Sequence, residues 1–218
     1  MEIYIVRHGE TLWNRDKKLQ GSADIELSDY GRYLAIETGK TLSDVHFDRI
    51  FSSPLKRAYE TACLIRPEQK NEIITDDRIR ELNFGIYEGK TMPELKNDPE
   101  GYFQYFFDAP EKYRAPKQGE SLTALCERAA DFLTEVIEPL SDTCSRIMIV
   151  AHGAINKAMM MHVKGESDMC RFWDGNLQRN CNVIILDYMQ GSYRITDESC
   201  LFYDLETARL KKKAFQDS

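Results

Sequence analysis

Ile3-Tyr4-Ile5-Val6-Arg7-His8-Gly9-Glu10 opens the chain with a short apolar strand that ends abruptly in an arginine, a histidine and a glycine. Far downstream, Ile147-Met148-Ile149-Val150 runs into Ala151-His152-Gly153 and repeats the pattern. Ligands of open α/β sheets bind at the carboxyl ends of strands. Two histidines delivered from two strand ends therefore predict one crevice with both imidazoles opening on it.

Strand-type stretches recur at Ile3–Val6, Arg49–Ser52, Ile73–Thr75, Ile147–Ala151, Val183–Leu186 and Tyr193–Thr196, with helical patterns between most of them. Alternating strands and helices predict an α/β fold, a three-layer α/β/α sandwich with a mostly parallel central sheet. The clearest helix starts at the N-cap residue Ser121, carries Leu122, Leu125, Ala129, Phe132, Leu133 and Val136 on one stripe, and is expected to stop at Pro139. Residues 28–42, 54–65 and 154–163 read as further helices.

The 218 residues read as a single domain, 1–218, with a lid-like insertion at about 90–118. There Pro93, Pro99, Pro110 and Pro116 break the pattern, and Tyr102, Phe103, Tyr105, Phe106, Phe107 and Tyr113 cluster. Such a connection reads either as a binding loop or as a satellite core over a sheet edge.

A formal charge of −7 gives no support to nucleic-acid binding, and Lys211-Lys212-Lys213 reads as a solvated helix end. No apolar run approaches the length of a membrane span and no signal segment opens the chain, so the expected location is cytoplasmic, with no membrane partner. The six cysteines form no C-x-x-C pair, which argues against a disulfide or metal framework. His46 and His162 read as structural, and oligomeric state is not legible.

Around the two His-Gly pairs stand Asn14, Arg57 at a helix start, and Glu81 in Arg80-Glu81-Leu82-Asn83-Phe84-Gly85. Two arginines, two histidines and an amide suit a phosphoryl group, because guanidinium forks match phosphate oxygens pairwise and stay charged. Phosphoryl transfer needs positioning and charge neutralisation above all. No Walker loop or D-x-D motif is present, so neither a metal nor another cofactor is expected. An isolated Arg-Glu pair, taken alone, reads as a surface ion pair of Glu81 with Arg78 or Arg80.

Six blocks in order, RHGETLWN at 7–14, LQGSADIELSDYG at 19–31, SSPLKRAYETA at 52–62, RELNFGIYEG at 80–89, GES at 119–121 and VAHGAINK at 150–157, resemble the histidine phosphatase superfamily, in its phosphoglycerate-mutase-like branch. The resemblance implies that His8 is the nucleophile and that Arg7, Arg57 and His152 bind the transferring phosphoryl group. It also implies that Glu81 is the proton donor, that Asn14 adds a hydrogen bond, and that Gln20 and Gly21 line the pocket mouth. Gly153 and the N–H of Ala154, opening the following helix, are expected at the phosphate. Glu10 and Thr11 are expected to hold the loop. Lys18, where the family often has arginine, and Tyr87, where it often has tryptophan, are expected to alter the pocket rim. The implied activity is a metal-independent phosphatase acting on a small-molecule phosphate ester through a phosphohistidine. A phosphoglycerate mutase is the competing enzyme, but residues 90–118 hold one arginine, Arg114, and no adjacent arginine pair. A non-catalytic phospho-ligand-binding protein is the alternative of another class.

Overall fold

Strands β1 (Glu2–Arg7), β2 (Arg49–Ser52), β3 (Ile73–Thr75), β4 (Arg146–Ala151), β5 (Val183–Met189) and β6 (Ser192–Cys200) form a 6-stranded sheet in the order β3-β2-β4-β1-β5-β6. The structure is a computed structural model and describes residues 1–66, 72–97, 102–175 and 177–216. β3, β2, β4 and β1 are parallel, while β5 is antiparallel to β1 and β6. The expected α/β architecture with a mostly parallel sheet is present.

Helices α1 (Leu12–Arg15), α2 (Asp29–Thr41), α3 (Lys56–Ile65), α4 (Met92–Lys96), α5 (Tyr105–Asp108), α6 (Leu122–Phe132), α7 (Gly153–Val163) and α8 (Leu205–Gln216) complete the framework, with short 3₁₀ turns between them. Successive side chains of a strand face opposite sides of a sheet. In β1, Ile3 and Ile5 join one core with Leu125 and Ala129 of α6 and Ile155 and Met159 of α7. Tyr4 and Val6 join the other with Leu34 and Ala35 of α2, Ala58 and Ala62 of α3 and Ala208 of α8. Helices thus cover both faces. Ile3, Ile5 and Val6 are wholly buried, and at about 1.5–3 kcal/mol per buried apolar side chain they anchor a strand whose end must hold polar groups out of water.

The Ser121 helix begins as expected, the Ser121 hydroxyl accepting from the Ala124 N–H at 3.1 Å. It does not run regularly to Pro139. A π turn follows at Leu133–Ile137 and a 3₁₀ turn at Glu138–Asp142. The wider turn shifts the buried stripe by one residue, so that Ile137 is buried where Val136 was expected, and Val136 is only partly covered. Strands β5 and β6 are also longer than the apolar pattern indicates. They form a hairpin around Gln190 and Gly191, both with positive φ (52° and 76°), the backbone of a two-residue turn matched to strand twist.

The insertion packs on the sheet-facing core. Leu95, Phe103, Phe106 and Tyr113 belong to the same apolar cluster as Leu82, Phe84 and Ile149. The ring of Phe106 meets Phe84 and Trp173 edge-on, each with centroids 5.1 Å apart. Pro99 and the side chain of Tyr102 lie outside the described residues.

Candidate active site

Because β1 and β4 are adjacent and parallel, with Arg7 opposite Ala151, the residues that follow each strand end emerge side by side. The His8 and His152 rings stand 5.1 Å apart between centroids. The His8 N–H donates to the Ala151 carbonyl at 3.0 Å, closing the ladder. Its Nδ1 lies 2.7 Å from the Gly9 carbonyl. A carbonyl only accepts, so Nδ1 carries the proton and the lone pair is left on Nε2. Burial, then the Arg57 and Arg7 charges, hold the imidazole well below its ordinary pKa, against a smaller opposing contribution from the Gly9 bond. An unprotonated imidazole among fixed cations is a nucleophile for an anionic phosphorus centre.

Arg57 is wholly buried although it stands on the first turn of α3. Its guanidinium donates to the Gly21 and Ala23 carbonyls at 2.7 Å each, and its Nε to Nδ1 of His152 at 3.1 Å. Burial draws it down to about 10, with Glu81 the strongest opposing influence, so it stays charged at neutrality. Since Nδ1 of His152 accepts, its proton sits on Nε2, 2.7 Å from the Ser53 hydroxyl oxygen. His152 is 0 % exposed. Both ring nitrogens of His152 have protein partners, and the imidazole lies against the Nε edge of Arg57.

Arg7 lines the cleft, and its Nη1 donates to the Gln178 carbonyl. Among the described residues its buried Nε has no hydrogen-bond partner, and a buried donor of this kind calls for an acceptor. Glu81 reaches the same cleft from the irregular stretch that follows the 3₁₀ turn Asp77–Ile79. One carboxylate oxygen accepts from the Leu82 N–H (3.0 Å) and the Ile155 N–H (3.1 Å), the other from the Ala154 N–H (3.1 Å). Ala154 lines the cleft, and its N–H is bonded to Glu81, because the open N-terminus of α7 attracts the carboxylate that lies against it. Arg78 and Arg80 do not pair with Glu81; they pair with Asp76 and Asp77.

The other expected residues are brought to the same place. Asn14 lines the cleft, its side-chain oxygen held by the Thr11 N–H at 3.1 Å. Gln20 accepts from the Thr11 hydroxyl at 2.8 Å and lines the mouth beside Lys18 and Gly21. Gly21 has φ +57°, a conformation that strains most side chains, and a β-carbon there meets Glu88 Oε1 at 2.3 Å. Gly153 lines the floor between Glu81 and Arg7. Tyr87 is not at the rim: it is buried against Phe103, with Lys90 5.0 Å above its ring. His46 and His162 stand away from the cleft, beside Asp48 and Glu138.

Sequence reasoning missed several supports. Ser53 and Thr61 lie inside the quoted 52–62 block, and Thr61 accepts from the Gly9 N–H at 3.0 Å while donating to the Arg57 carbonyl at 2.6 Å. Arg128 donates to the Arg78 and Arg80 carbonyls at 2.6 Å each and to that of Glu81 at 3.2 Å, and so fixes the segment that carries the carboxylate. Phe84, Phe106, Phe107, Trp173 and Leu177 form an apolar wall over the cleft; the last two lie neither in a motif block nor in the insertion. Among the described residues no group of three or more His, Cys, Asp or Glu is arranged to hold a metal ion, and no helix is long and apolar enough to cross a membrane.

Comparison with known proteins places the chain among relatives of one family. A probable phosphoglycerate mutase, GpmB, of Klebsiella pneumoniae (strain 342) is 30% identical over 194 residues, 88% of this chain and 87% of the relative. The solved structure of YhfR from Bacillus stearothermophilus superposes with a TM-score of 0.83 at 30% identity, over 90% of this chain and 96% of that one. A phosphoserine phosphatase from Entamoeba histolytica, solved with 3-phosphoglyceric acid, matches with a TM-score of 0.78 at 26% identity, over 91% and 96% of the two chains. The family model of the histidine phosphatase superfamily (branch 1) matches residues 3–199. The chain belongs to the histidine phosphatase superfamily, branch 1.

Proposed function

We propose that the protein is a phosphatase that hydrolyses a small phosphate monoester, without a metal, through a covalent phosphohistidine on His8. The observation that carries this reading is the 2.7 Å approach of His8 Nδ1 to the Gly9 carbonyl, which places the proton on Nδ1 and leaves Nε2 a lone pair beside Arg7 and Arg57. In the first step Nε2 attacks phosphorus, the P–O ester bond breaks, and its electron pair passes to the leaving oxygen, which takes a proton from Glu81. In the second step water loses a proton to Glu81 and attacks phosphorus, the N–P bond breaks, and its pair returns to Nε2. The two guanidinium groups neutralise the phosphoryl oxygens throughout.

Hydrolysis is favoured over mutase transfer by what lines the cleft. Among the described residues, Lys18 is the one lysine or arginine lining it beyond Arg7 and Arg57, and the insertion contributes Phe106 and Phe107 rather than a pair of cations. A mutase must retain a second anionic group while its acceptor reorients, and an aromatic wall holds such a group poorly. The mutase names among the relatives make that assay the necessary control.

The test is covalent labelling with a phosphate ester followed by mapping. An acid-labile, base-stable label on Nε2 of His8, absent from His8→Ala, with turnover that survives EDTA, supports the reading. Undiminished turnover in folded His8→Ala defeats it. Phosphoglycerate isomerisation exceeding hydrolysis assigns the mutase instead.

A further inference from the structure

We infer that Lys212, on the C-terminal helix α8, is a positioning residue for the nucleophile. The family match ends at residue 199, and α8 begins at Leu205, so this helix follows the matched span. It packs on α2 through Ala208, which is buried, and Phe215, whose ring lies 6.2 Å from those of Tyr30 and Tyr33. From there Lys212 turns inward, 5.2 Å above the ring of Tyr30, and its ammonium pairs with Oε2 of Glu10. The basic run 211–213 is therefore not simply a solvated helix end.

Glu10 is two residues from the nucleophile and 5 % exposed. Its other carboxylate oxygen accepts, among the described residues, one long hydrogen bond from the Ser28 hydroxyl at 3.4 Å. Arg15, which lines the same notch, is engaged with Asp16 at 3.4 Å. Among the described residues Lys212 is the cation paired with the Glu10 carboxylate, and a buried carboxylate deprived of its cation moves toward water. The backbone cannot follow without cost to the site. The Glu10 carbonyl accepts from the Ser28 N–H at 2.8 Å, and Gly31 packs so closely on it that a β-carbon there lies 2.0 Å from that oxygen. The preceding carbonyl, that of Gly9, is the acceptor that keeps the proton of His8 on Nδ1. The chain of influence is Lys212 to Glu10, Glu10 to the Gly9 carbonyl, and that carbonyl to the lone pair on Nε2.

The kinetic consequence rests on the proposed phosphohistidine chemistry, whereas the tautomer consequence does not. The experiment reads both, in the full-length protein carrying Lys212→Met or Lys212→Arg. Long-range ¹⁵N–¹H spectra of the His8 ring report the protonated nitrogen, and p-nitrophenyl phosphate turnover gives kcat and KM. For Lys212→Met the ring should leave the single Nδ1–H form for a mixture. A displaced nucleophile should lower kcat by about tenfold with KM changed by less than about twofold. Lys212→Arg, which keeps the charge, should restore both. A wild-type ring spectrum in Lys212→Met overturns the inference, whatever happens to kcat or to the melting temperature. Equal defects in Met and Arg variants overturn it as well, since the charge would then not be the agent. If the parent protein shows no turnover, the phosphatase reading fails, and the ring spectrum still decides the role of Lys212.

Discussion

Nε of Arg57 donates to Nδ1 of His152 over 3.1 Å, so the second histidine of the site is turned toward the arginine rather than toward the cleft. Ser53 holds the opposite edge of the same ring. His152→Ala should therefore act through Arg57. Inhibition by inorganic phosphate should weaken and kcat/KM fall about 100-fold, the scale on which a misplaced binding group reduces turnover. Phosphate inhibition equal to that of the parent would show that Arg57 keeps its place unaided.

Glu81→Gln keeps the shape of the side chain but removes its ability to cycle a proton. Turnover of alkyl phosphates should fall by about 10²–10⁴-fold, and that of aryl phosphates with acidic phenols by less, because their leaving oxygen needs less help. Equal losses across a leaving-group series would remove Glu81 from the proton-donor role.

His8 and His152 are both buried and held well below the ordinary histidine pKa, chiefly by burial and secondly by Arg57. In the unfolded chain each takes up a proton near pH 6.5, whereas in the folded chain each stays neutral to lower pH. The unfolded state binds more protons below that value, so stability present above it is lost as pH falls. Urea midpoints should decline between pH 7.5 and 5, and the decline should be shallower in His152→Gln. A flat profile in the parent would contradict the neutral, buried assignment.

The insertion divides into two roles. Phe103 is 2 % exposed and Phe107 44 %, and Phe107 lines the cleft. Phe103→Ala should destabilise the fold by about 3–5 kcal/mol while leaving the ranking of phosphate esters unchanged. Phe107→Ala should alter the ranking with little loss of melting temperature. A substrate panel run beside thermal melts separates the two, and the reverse pattern would exchange their roles.

Much of this site was legible because its chemistry sits at strand ends. The apolar runs before Arg7-His8 and before His152 announce two strands, and adjacency of those strands then brings the imidazoles together. What stayed hidden depends on arrivals from elsewhere in the chain. The destination of the Ala154 N–H is decided by Glu81, whose carboxylate is delivered by a segment that Arg128 pins from α6. The shift from Val136 to Ile137 comes from a single wider turn, to which a 3.6-residue period is blind. Gln190-Gly191 lacks the usual Asn-Gly signature of a tight hairpin, and the polar, largely exposed face of β6 concealed its length. Trp173 and Leu177 reach the cleft from a connection with no periodicity at all.

The sheet ends in two unlike borders, and both bear on how molecules meet one another. At one border β3 offers only three residues of backbone; at the other β6 displays Arg194, Asp197 and Glu198 along a mostly exposed strand. A short border gives an incoming strand little to zip onto, and a charged one penalises its approach. The hairpin that extends the parallel core therefore also shields it. The strands that carry the two histidines lie in the interior of the sheet, away from either border, so intermolecular strand pairing would have to begin far from the catalytic cleft.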